Sequence, residues 1–115
     1  MNAEDIYNGL LELVGALMDR DEVTEHRFRL VGNRQYATEL RVWFESGLVL
    51  QVIGSGGPLG WAVHLASGSV PILASSYQLQ KTEPKRYEGR GWRTRLIEDV
   101  IHGLSVAADK LDEDR

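Results

Sequence analysis

The sequence predicts an α+β domain: an N-terminal helix, an antiparallel meander of about five strands, and a C-terminal helix, with both helices on one face of the sheet. Three observations predict it. Apolar residues recur at helical spacing over 3–20 and again from about Trp92 to Leu111. Between those blocks, apolar and polar residues alternate along short runs. Glycine-containing turns separate the runs. At 115 residues and 43% hydrophobic content, one domain spanning 1–115 can bury a core without disulfide or metal support.

The first helix is read from Ile6, Leu10, Leu13, Val14 and Leu17, with Tyr7, Leu11 and Met18 widening the apolar stripe. Asn2 is placed to cap it, and Glu4 and Asp5 fall in the first turn, where the helix dipole favours acid. The charged run from Asp19 to Glu25 ends it. His26, Phe28 and Leu30 then alternate with Arg27 and Arg29, which suits a half-buried strand. After a turn at Gly32-Asn33, Leu40, Val42 and Phe44 alternate with Glu39, Arg41, Trp43 and Glu45. Ser46-Gly47 reads as a tight hairpin into Leu48–Ile53. Trp61, Val63 and Leu65 alternate with Ala62, His64 and Ala66, and Ser67-Gly68 turns into a less regular strand over 70–79. Pro71 near the start of that strand suits an edge position, because it cannot donate to a central ladder. In the second helix, Leu96, Ile97, Val100, Ile101, Leu104, Ala107, Ala108 and Leu111 make a broad apolar face.

Charge is segregated along the chain. From Ser46 to Gln80 there is no Asp, Glu, Lys or Arg. That stretch is expected to hold the buried heart of the fold. Gly47, Gly54, Gly56, Gly57, Gly60, Gly68, Pro58 and Pro71 break it well short of the roughly 18 apolar residues a membrane span needs. Directly after it, Lys81, Lys85, Arg86, Arg90, Arg93 and Arg95 face only Glu83 and Glu88, while the whole chain carries −4. The acidic start, Met1-Asn2-Ala3-Glu4-Asp5, lacks the basic region of a secretory leader. No membrane partner is expected, and the composition is that of a cytoplasmic protein.

The basic segment is the first candidate site, with Lys85, Arg86, Tyr87, Arg90, Trp92, Arg93 and Arg95 as its binding residues. Guanidinium groups hold carboxylates or phosphates in a bidentate fork, and aromatic rings supply flat contact area. Gly89 and Gly91 let the backbone approach a ligand, and free amides at the start of the second helix point the same way. The competing reading is a solvated connector in which Trp92 belongs to the helix core. Arg93 and Arg95 would then pair with Glu98, Asp99 or the first helix. Arg, Tyr and Trp dominate energetic hot spots at protein interfaces. The expected function is therefore a small non-enzymatic binding protein, of accessory, inhibitor or immunity type, docking onto a partner with an acidic surface. A nucleic-acid or nucleotide-phosphate ligand would use the same loop. The pI of 5.3 weighs against it, since dedicated nucleic-acid domains lie above roughly 9.

Gly54-Ser-Gly-Gly-Pro-Leu-Gly60 follows a strand as phosphate-binding loops do, but Leu59 stands where the dinucleotide fingerprint needs its third glycine. It reads as a hairpin connection, with a small-molecule pocket beside His64 as the minority alternative. Ser55 is expected to be exposed there. His26, His64 and His102 show no metal-ligand spacing, and His102 falls among the apolar residues of the second helix, as a packed histidine would. There is no cysteine and no G-x-S-x-G elbow. No catalytic residue, metal or cofactor is expected. The outer sheet face would carry Trp43, Val49, Ile53 and His64 among Glu39, Arg41 and Gln51. That is apolar enough for a second copy to cover part of it as a homodimer.

Overall fold

Alternation places every second residue of the middle strands on one side of a sheet, and those sides are apolar. The computed structural model describes residues 3–20, 22–31, 37–55, 60–67, 70–77, 87 and 89–113. Its elements are α1 (Ala3–Arg20), β1 (Val23–Val31), β2 (Ala37–Phe44), β3 (Leu48–Gly54), β4 (Trp61–Ser67), β5 (Val70–Tyr77) and α2 (Trp92–Glu113). The strands form one antiparallel meander in sequence order, from β1 at one edge to β5 at the other. Cross-strand register aligns Leu40 with Val52 and Val63, and Val42 with Leu50 and Leu65. All six are buried and face the helices. Such rows of matched apolar pairs fix the register, since a one-residue slip would turn them all to water.

Helix α1 lies over β1 and β2 and contacts α2, which lies over β4 and β5. Ile6, Leu10, Leu13, Val14 and Leu17 of α1 join Trp92, Leu96, Val100, Leu104 and Ala107 of α2 in one core with the inner sheet face. Both helices therefore cover the same face, and among the described residues no helix lies on the opposite face. None of the described helices is long and apolar enough to cross a membrane.

Turn chemistry follows the glycines. Gly47 takes a left-handed φ of +92° and its N–H donates to the Phe44 carbonyl at 3.0 Å, closing the β2–β3 hairpin. The Ser55 N–H donates to the Gly60 carbonyl at 3.0 Å, at the mouth of the glycine-rich connection. Residues 56–59 of that connection lie outside the described residues.

Several expectations need correction. Tyr7, Leu11 and Met18 do not widen the buried stripe of α1; they are exposed, because α1 has core on one side only. His102 and Ala108 are exposed rather than packed, on the solvent side of α2. Ser55 is buried rather than exposed. Strand β1 is less buried than its alternation suggests, since it is the sheet edge. His26 and Leu30 are exposed, and Phe28 is half-buried against Tyr7, with ring centroids 4.8 Å apart.

Candidate functional site

Of the segment ahead of α2, the described residues commit its aromatic side chains to the fold. Lys85 and Arg86 lie outside the described residues. Tyr87 is 1% exposed and Trp92 9%, so both rings are core rather than surface. They meet Trp61 of β4, with centroids 5.4 Å from Trp61 in each case. Two glycines make room for this cluster. A β-carbon on Gly9 would stand 2.7 Å from Trp92 Cζ2, and one on Gly54 would stand 2.5 Å from Trp61 Cη2. The Tyr87 hydroxyl donates to Asp99 Oδ2 at 2.5 Å, giving the buried phenol a polar partner on α2.

Arg93 and Arg95 are also engaged. Arg93 Nη1 donates to Glu12 Oε1 at 2.9 Å, bridging α2 to α1, and its guanidinium lies 5.6 Å from the Trp92 ring centroid. Arg95 Nη1 donates to the Arg90 carbonyl at 3.0 Å, bracing the turn that starts the helix. Arg90 is exposed. The described part of the loop thus presents Arg90 to solvent, with its aromatic residues turned inward.

The helix-free sheet face gathers a denser constellation. Register puts Arg29 opposite Glu39, Arg27 opposite Arg41, and Glu25 opposite Trp43. On the next strand, Ile53 pairs with Glu39, Gln51 with Arg41, and Val49 with Trp43. A groove of about 320 Å³ opens here, lined by Arg27, Phe28, Arg29, Glu39, Arg41 and Trp43. At its floor the Glu39 side chain is 3% exposed. It accepts from Arg29 Nε at 2.7 Å and from Gln51 Nε2 at 2.6 Å. Arg41 Nε stands 3.3 Å from the same carboxylate, an ion pair without the angle of a hydrogen bond. Burial pushes the Glu39 pKa up, but the hydrogen bonds from Gln51 and Arg29 and the charges of Arg41 and Arg29 outweigh it. The carboxyl is held below its ordinary range.

Two guanidiniums, Arg29 and Arg41, therefore hold one buried carboxylate, and Arg27 lines the same groove. The Arg27 guanidinium lies 5.8 Å from the centroid of the Trp43 ring. It also meets Glu25 at 2.7 Å, but both side chains are largely exposed, and such a pair is screened and readily exchanged. Half-buried Val49, Ile53 and His64 extend this face away from the groove. Trp43, Arg41 and Glu39 are legible on this face from strand alternation. Arg27 and Arg29 are not, because which residues they face depends on the β1–β2 register.

Comparison with known protein families, with curated proteins and with solved structures gives no match.

Proposed function

We propose that this chain is a non-enzymatic protein-binding domain, of accessory, inhibitor or immunity type, whose docking surface is the open sheet face around Arg27, Arg41 and Trp43. The observation that carries the reading is a groove lined by Arg27, Arg29, Arg41 and the Trp43 indole over a buried carboxylate, Glu39, which Arg29 and Arg41 hold. A carboxylate from a partner fits the forked donors of Arg27 and Arg41, and Trp43 offers flat apolar area beside them. The partner surface is accordingly acidic. Docking moves to the sheet from the loop ahead of α2, whose Tyr87 and Trp92 are occupied by the core.

A second reading takes the same groove for phosphate and base, favoured by the Arg27 guanidinium stacked near Trp43. The two separate by salt. Nucleic-acid affinity falls steeply with ionic strength as counterions are released, whereas a mixed apolar and polar protein interface responds weakly.

The test is capture from an extract of the source cell with three baits: wild type, Arg27→Glu/Arg41→Glu, and Arg90→Glu/Arg93→Glu. The reading expects a protein retained by wild type and by the loop variant but lost from the sheet variant, all three showing the same circular dichroism. Retention by the sheet variant together with loss from the loop variant overturns it.

A further inference from the structure

The edge of the sheet at β1, whose Arg27, Phe28 and Arg29 also line the groove, lies beside apolar surface of α1 that the core does not use. Among the described residues, β1 pairs with β2 on one side and with no strand on the other. Beside it, α1 exposes Tyr7 (43%), Leu11 (41%) and Met18 (57%), large apolar side chains on one helical stripe. Gly15 lies in the same stripe, and nothing stands within 4 Å of where its β-carbon would be. A mid-helix glycine costs about 1 kcal/mol relative to alanine and here makes no internal room for anything.

We infer that the occupant of this surface is a second copy of the chain, joined β1 to β1 in an antiparallel, two-fold arrangement that continues the sheet and packs α1 against α1. Three relations on independent residues select it. The first is charge. A two-fold at His26 sets Glu25 of each copy opposite Arg27 of the other, on the sheet's outer face, and opposes no like charges. A two-fold at Phe28 would instead oppose Arg27 with Arg29. The second is level along the elements. Tyr7 stands beside Phe28, and two strand residues span about 6.6 Å, the rise of about four helical residues. The level of His26 is therefore that of Leu11, the centre of the exposed stripe. The third is seating. About a two-fold at Leu11, Tyr7 of one copy meets Gly15 of the other, and the open space above Gly15 receives the ring.

Spacing agrees as well. Strands lie about 4.8 Å apart, and α1 lies over β1 and β2. The two α1 axes would then run about 10 Å apart, close to the usual helix-packing distance. The register irregularity between Val23 and Glu25 keeps the shared strand ladder short, so the helix stripe supplies much of the contact. Both grooves end on the same face of the continued sheet.

Sedimentation equilibrium of the full chain over a concentration series tests this. The expected mass is twice 12.9 kDa. Leu11→Glu and Glu25→Arg each return the single-chain mass with unchanged circular dichroism, and Glu25→Arg/Arg27→Glu restores the pair. Gly15→Gln has free space in the single chain, and it weakens association by about tenfold or more, the size of an overpacked contact. The chain has no cysteine, so His26→Cys introduces one thiol, which cross-links the two copies on oxidation. A single-chain mass at every concentration overturns the proposal. So does a dimer that survives Leu11→Glu or Glu25→Arg, or one that His26→Cys fails to cross-link.

Discussion

The Trp92 indole of α2 lies directly against Gly9 of α1, where a β-carbon would overlap the ring. This contact joins the two helices above β4 and explains why a glycine interrupts an otherwise good helical stripe. Gly9→Ala should therefore destabilise by about 1–3 kcal/mol, overpacking outweighing the gain in helix propensity. Urea denaturation measures it; an unchanged or raised midpoint would mean that the ring has room to move.

The Tyr87 hydroxyl and Asp99 make a second link between this cluster and α2. Tyr87→Phe keeps the ring packing and removes only the charge-assisted hydrogen bond, so a loss of about 1.5 kcal/mol is expected. Tyr87→Ala also empties ring volume from the core and should cost more, about 3–5 kcal/mol. Equal losses in the two variants would show that the ring contributes nothing.

Glu39 makes the fold sensitive to acid. Its pKa is lowered in the folded protein, so its contribution is present above the ordinary value of 4.5 and lost as pH falls through the folded value. Glu39→Gln should lower the urea midpoint at neutral pH, and the gap to wild type should close as pH falls below 4.5 and through the lowered folded value. A gap independent of pH would contradict the ion-pair account of this carboxylate.

Glu22 has the opposite sign. The neighbouring Glu45 carboxylate raises its pKa, first through a shared hydrogen bond and then through like charge. A raised carboxyl pKa destabilises the folded state at neutral pH and is relieved on acidification. Glu22→Gln should raise the melting temperature at neutral pH, with the benefit disappearing as pH falls through 4.5. Destabilisation at neutral pH would contradict this.

Much of the fold is legible in the sequence, because period and turn residues report local geometry. The bounds of α1, the Ser46-Gly47 hairpin and the inner rows built on Leu40, Val42, Leu50 and Val63 all follow from them. What the chain leaves illegible is pairwise. Tyr87 and Trp92 sit in a basic segment and read as contact residues. Only the third dimension reveals Gly9 and Gly54 as hollows cut for the Trp92 and Trp61 rings. The groove is hidden for a similar reason. Arg27 and Arg29 are ordinary strand charges until register aligns them with Arg41 and Glu39. Tyr7 and Leu11 match the helical period as well as Leu10 does, and only the one-sided position of α1 tells them apart.

The three tryptophans give the most direct measurement of where a partner docks. Trp43 lies on the open sheet face, while Trp61 and Trp92 are in the core. Nitrogen–proton NMR spectra of the labelled chain, titrated with the captured partner, resolve their three indole N–H signals and the arginine Nε–H signals. The account predicts that Trp43, Arg27 and Arg41 shift while Trp61 and Trp92 stay in place. Shifts at Arg90 and Arg93 with Trp43 unmoved would contradict it and return the docking surface to the loop ahead of α2.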